Sequence, residues 1–192
     1  TVYTENFDGT LGADSIAANY NTDSTNATRS WNDTSYIKTT GNASFHTQIY
    51  ANDSIVFETD AFTTVTYTNV RLTFDQICKI RYIQKAFIQM SRDNGATWVN
   101  LTSTHYQGGS PQFSSQGWFN ELSYPSQLLT PYWYGPTIGN SNTGTGPTPT
   151  TASDWWARET FDLSSYLGTY DNTNSQYGYA NCKLRFIMSN KT

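Results

Sequence analysis

An all-β fold is what this sequence predicts: an antiparallel two-sheet jelly-roll sandwich carrying one long irregular insertion. Three observations carry that expectation. Only 14% of the 192 residues are charged while 16% are aromatic, with fourteen Tyr, ten Phe and six Trp among abundant Thr, Ser and Asn. Aromatic and β-branched side chains suit a pleated, half-buried surface, and Ser and Asn favour turns over helix interiors. Short apolar-alternating segments recur at a spacing of about ten residues, separated by turn signals, as in sandwiches. The third observation is the octapeptide Ser91-Arg92-Asp93-Asn94-Gly95-Ala96-Thr97-Trp98, which fits S-x-D-x-G-x-T-W, the Asp-box hairpin. The length suits a single domain spanning residues 1–192, with the insertion at residues 103–153.

Each element follows from local pattern. Residues 1–8 read as a first strand closed by Asp8-Gly9, and residues 10–40 as a turn-rich stretch with Trp31 and Tyr36 as isolated anchors. Residues 44–50 and 54–58 read as short strands around the turn signal Asn52-Asp53, and residues 62–67 alternate β-branched and aromatic side chains. The clearest long strand is 70–80. In the octapeptide, Asp93 can accept backbone N–H groups two residues on. Gly95 supplies the positive φ of a tight hairpin, and Trp98 can bury its ring. Phe87, Ile88 and Met90 before it, and Val99 and Leu101 after it, make the flanks strands. Residues 103–153 hold Gly108-Gly109, six prolines and a low-complexity run at 139–150, together with eight aromatics, more than a core would be expected to absorb. Residues 155–162 resume the strand pattern. Asp162 then reads as an N-cap and Gly168 as a helix stop around one short turn. A polar loop at 169–179 precedes the last strand, 182–190.

Charge and motif content exclude several functions. The net charge is -4, and the densest basic stretch is only Lys79, Arg81 and Lys85. Phosphate neutralisation needs a basic stripe, so nucleic-acid binding is not expected. No run of 18 apolar residues provides a membrane span. The chain opens directly on strand-like sequence without a signal peptide, as a mature or excised segment would. His46 and His105 are the two histidines, and no H-E-x-x-H, G-x-S-x-G or C-x-x-C motif is present. Glu121 and Glu159 are carboxylates in or beside the insertion, with nothing in the sequence to pair them across a cleft. A non-enzyme is therefore expected. Cys78 and Cys182 share the core-facing phase of their strand patterns. They pair as a disulfide if the strands are neighbours, and otherwise stand as two buried free thiols.

The order of short motifs adds a resemblance. Glu5-Asn6-Phe7-Asp8-Gly9 opens the chain. Arg71-Leu72-Thr73-Phe74-Asp75-Gln76 begins a core strand, and the Asp box follows. Thr160-Phe161-Asp162-Leu163-Ser164 and Leu184-Arg185-Phe186 close the series. This order resembles the MAM-like, cleaved-adhesin-like jelly-roll modules of secreted bacterial proteins, common among type IX secretion cargo of Bacteroidetes. The resemblance covers most of the chain outside residues 103–153. It implies a secreted or cell-surface location, adhesion or carbohydrate binding beside other domains of a parent protein, and a frequent structural Ca²⁺. By motif, Asp8 and Asp162 stand where such an ion is held, among the oxygen donors Glu5, Asp53, Asp60 and Asp75.

The site expectations are accordingly these. Sugar rings stack on exposed aromatic faces while placed polar groups take the hydroxyls. The candidate ligand-binding rings are Trp118, Tyr132, Trp133, Tyr134, Trp155 and Trp156. The alternative role for the same rings is to hold the long loop against the sandwich. Ser91, Asp93, Gly95 and Trp98 shape a turn and carry no chemistry. N-x-S/T sequons stand at Asn26, Asn32, Asn42, Asn52, Asn100 and Asn190. The expected function is a non-catalytic adhesion or carbohydrate-binding module. The alternative is a structural spacer of a secreted hydrolase, with Ca²⁺ serving stability alone.

Overall fold

A computed structural model of the chain describes residues 16–21, 30–34, 44–50, 52–78, 80–124 and 156–190. These residues form antiparallel sheets with few helices, as expected. With strands numbered in chain order, the main sheet runs β1 (Ile16–Asn21), β4 (Ser54–Thr59), β11 (Lys183–Ser189), β6 (Lys85–Ser91) and β7 (Val99–Asn100). Three two-stranded ladders join β2 (Asn32–Thr34) to β3 (Ser44–His46), β5 (Arg71–Gln76) to β8 (Ala157–Asp162), and β9 (Tyr170–Asp171) to β10 (Gln176–Tyr177). The helices among the described residues are α1 (Pro111–Gln116) and α2 (Ser164–Leu167), with a 3-10 turn at Glu121–Ser123.

Register explains the core. Strand β11 sets Phe186 opposite both Phe57 and Ile88, Leu184 opposite Met90, and Met188 opposite Ile55. Side chains alternate across a strand. The same register therefore turns Arg185, with Glu58 and Gln89 opposite it, to the other face. The β5–β8 ladder meets this sheet through rings. Phe74 stacks on Phe161 at 6.2 Å and abuts Phe186 edge-on at 5.3 Å. Strand β4 separates β1 from β11, and residues 1–8 lie outside the described residues.

The largest correction concerns the insertion. Residues 103–124 build the core rather than leave it. Phe113 and Phe119 are fully buried, with ring centroids 4.5 Å apart. Phe113 also packs 5.0 Å from Phe161 and 4.7 Å from Tyr106. Helix α1 has local reasons to form: the Ser110 hydroxyl accepts the Phe113 N–H at 3.3 Å, Pro111 begins the helix, and Gly117 ends it at φ +80°. Phe119 then exchanges two backbone hydrogen bonds with Ala86, adding a rung beside β6.

Smaller departures have local causes. The strand expected at 70–80 ends at Gln76, and residues 62–67 make an isolated bridge and a turn instead of a strand. Two strands, β1 and β2, lie in the stretch read as turn-rich. Cys78 and Cys182 are buried free thiols, the second of the two readings above. Burial, reinforced by the Glu159 charge, pushes the Cys78 thiol up to about 12. The N-cap of α2 is Leu163 rather than Asp162, whose carboxylate accepts the Ser164 N–H at 2.9 Å from one position earlier; Gly168 ends the helix as its C-cap, but at φ -103° and not in the left-handed region. Gly168 serves close approach instead, since a Cβ there would lie 2.4 Å from the Thr68 carbonyl oxygen.

Candidate binding site

Among the exposed aromatics of the described residues, Tyr67, Tyr170 and Tyr177 lie at the 169–179 edge, where the sequence predicts a polar loop, while Tyr20, Tyr50 and Tyr82 are exposed on other parts of the chain. The β9–β10 hairpin pairs Tyr170 with Tyr177 across its strands. Their rings meet edge-on at 5.2 Å, yet they remain 46% and 51% exposed. Cross-strand aromatic pairs stabilise a short hairpin. The loop is stiffened by Asp171, whose carboxylate accepts the Thr173 N–H at 2.9 Å and the Asn174 side-chain amide at 2.7 Å. Tyr67, 47% exposed, follows Thr66, whose N–H bonds the Tyr177 carbonyl at 2.8 Å.

Close backbone contact holds the hairpin in place. Gly178 sits at φ +77°, and a Cβ there would fall 1.9 Å from the Thr64 carbonyl oxygen. With Gly168 at the other end, two glycines bracket the tyrosine hairpin and let it press onto residues 64–68. Thr64 is fully buried and ties the parts together: its hydroxyl donates to the Leu167 carbonyl at 2.8 Å and accepts the Tyr179 N–H at 3.0 Å. Thr66 takes φ +72°, which is strained for a β-branched residue. Strain of this kind gathers at ligand-binding positions.

The Asp-box hairpin buttresses this edge from the side. Asn94 N–H bonds the Asn181 carbonyl at 2.9 Å. Arg92 lies over both Tyr166 (4.8 Å) and Tyr179 (4.9 Å) and donates to the Tyr179 hydroxyl at 2.9 Å. Inside the box, Asp93 accepts the Thr97 N–H at 2.8 Å, the Thr97 hydroxyl at 2.5 Å and the Ser91 hydroxyl at 2.7 Å. Its principal partner is thus four residues on, not two. Gly95 takes φ +88° as expected, with the Trp98 ring against it, and the Arg185 guanidinium covers that half-buried ring at 4.3 Å. The Thr97 hydroxyl and N–H hold the Asp93 carboxyl down at about 2. The unfolded chain therefore binds more protons below the ordinary carboxylate range, and this contribution to stability is lost as pH falls from about 4 through 2. Asp93→Asn is expected to remove that component, read as a flatter dependence of the urea midpoint on pH between 4 and 2.

Of the six rings named from sequence, two lie among the described residues. Trp118 is half-buried with the Lys85 ammonium 4.5 Å over its face, and Trp156 is half-buried just before β8. Tyr132, Trp133, Tyr134 and Trp155 lie outside the described residues, as does Asp8. The signal for the tyrosine edge was present in the sequence: Tyr170 and Tyr177 flank an Asp-Asn-Thr-Asn-Ser turn, which marks a hairpin.

The carboxylates are committed elsewhere. Glu159 is 1% exposed and accepts the Tyr106 and Tyr124 hydroxyls, each at 2.5 Å, while the Gln76 amide donates to the Tyr124 hydroxyl at 2.7 Å. Glu121 accepts the Tyr82 N–H at 2.9 Å. Asp53 accepts the Tyr50 N–H at 2.9 Å, and Asp75 pairs with Arg158 at 2.9 Å. Among the described residues no three His, Cys, Asp or Glu side chains converge on a metal position. Asp162 shares its surroundings with Arg71, which does not fit a divalent cation held by the described residues alone. No helix among them is long and apolar enough to cross a membrane. Compared with protein-family models, with curated proteins and with solved structures, the chain matches none.

Proposed function

We propose that this chain is a non-catalytic glycan-binding or adhesion module of a larger secreted or cell-surface protein, with a MAM-like jelly-roll architecture. The observation that carries the reading is the exposed Tyr170–Tyr177 pair beside Tyr67, on a hairpin anchored by two close glycine contacts. Rigid aromatic faces next to Asp171, Asn174 and Gln176 match the chemistry of a sugar, which offers apolar C–H faces ringed by hydroxyls. A glycan array on the chain is expected to give defined hits. Tyr170→Ala with Tyr177→Ala is expected to weaken them by tenfold or more, at about 1–2 kcal/mol per ring, with unchanged circular dichroism. Absence of any hit defeats the reading and leaves a structural accessory domain; hits indifferent to both substitutions overturn the tyrosine edge as the site.

A further inference from the structure

Next to the tyrosine edge lies a surface depression of about 330 Å³ lined by Asn69, Val70, Arg71, Asp162 and Ser164. The backbone ties it to that edge: Gly168, two residues before Tyr170, packs against the carbonyl of Thr68, which adjoins the lining residue Asn69. The Val70 N–H donates to the Ser164 hydroxyl at 3.0 Å, the Leu163 N–H to the Val70 carbonyl at 2.8 Å, and Tyr67 precedes Arg71 by four residues. That separation is at most about 14 Å of chain, within reach of one short oligosaccharide.

The β5–β8 ladder carries two cross-strand Arg–Asp pairs in opposite senses: Arg71 faces Asp162, and Asp75 faces Arg158. The second closes as a two-bond fork, with Arg158 Nε and Nη2 each 2.9 Å from the carboxylate. The first stays open. Asp162 Oδ1 takes the Ser164 N–H instead, and exposed Arg71 has no hydrogen-bond or ion-pair partner among the described residues. A guanidinium whose cross-strand carboxylate is diverted, at the wall of a depression, keeps its planar donor fork for a ligand.

We propose that Arg71 takes the carboxylate of an acidic sugar, a uronate, whose neighbouring rings lie on Tyr67, Tyr170 and Tyr177. This rests on the glycan-binding reading above. The fork matches a carboxylate in two parallel hydrogen bonds. Arg71 would hold that carboxylate on a chain whose net charge is -4, beside the repelling carboxylate of Asp162.

The test is calorimetry at low salt with trigalacturonate and a neutral galactose trisaccharide. Wild type is expected to bind the acidic sugar about tenfold more tightly. Arg71→Gln is expected to bring that ratio to about one without changing neutral binding. Asp162→Asn keeps an acceptor for Ser164 and removes a like charge, so acidic binding should rise by roughly two- to threefold. Half-molar salt should erase the acidic preference. Neutral binding with no acidic preference, or a preference that survives Arg71→Gln, overturns the assignment of Arg71 alone. Binding of neither sugar overturns both this proposal and the glycan reading beneath it.

Discussion

Phe113→Ala is expected to destabilise the chain by about 3–5 kcal/mol, the range for truncating a buried aromatic. The ring is fully buried and touches Tyr106 and Phe119 of its own stretch and Phe161 of β8. Their packing around the void would be hard to restore, because Phe161 is fixed by the β5–β8 ladder and Phe119 by its two bonds to Ala86. Urea unfolding followed by tryptophan fluorescence checks this. A cost below about 1 kcal/mol, the usual size for a surface substitution, would return residues 103–124 to the status of a peripheral loop.

Glu159→Ala is expected to cost about 3 kcal/mol, and Glu159→Gln about half of that. The alanine variant strands two half-buried tyrosine hydroxyls that now donate to one carboxyl group. Glutamine retains an acceptor for one of them. The same cluster has an alkaline signature. Burial first, and then the hydrogen bond and charge of Glu159, raise the Tyr106 and Tyr124 phenols above the ordinary tyrosine value of 10.0. The folded state therefore holds protons that the unfolded chain releases, so this stability is complete below pH 10 and declines as pH rises further. In Glu159→Gln the phenols should ionise at lower pH, seen as an earlier phase in the ultraviolet titration of tyrosinate. Equal midpoints in the two proteins would show that Glu159 does not govern these hydroxyls.

The cluster also shows where local reading stops. A lone Glu in an alternating strand looks like a solvent-facing residue, yet Glu159 is buried, and the Tyr106 and Tyr124 hydroxyls that it accepts come from 53 and 35 positions away. Gly168 teaches the same lesson. Its position after a short helical turn suggests a left-handed stop, whereas its reason for being glycine is the Thr68 carbonyl pressed against it. Arg71 and Asp162 were both visible as charged strand residues. Cross-strand pairing does not record that Arg158 closes on Asp75 while Asp162 Oδ1 takes the Ser164 N–H and Arg71 stays open.

By itself the sequence determined the all-β class, the strands around Ile88, Phe161 and Leu184, and the Ser91–Trp98 turn. Alternation of period two is a direct consequence of the pleat, and the turn's hydrogen bonds close within eight residues. Only the tertiary structure decided which rings are core and which face solvent. Phe113 and Phe119 went inward from a stretch rich in turn residues, while Tyr67, Tyr170 and Tyr177 stayed outside. The physical reason is distance along the chain. The edge that presents those tyrosines is held by Thr64 against Tyr179, 115 residues apart, and no local pattern of apolar and polar residues records such a contact.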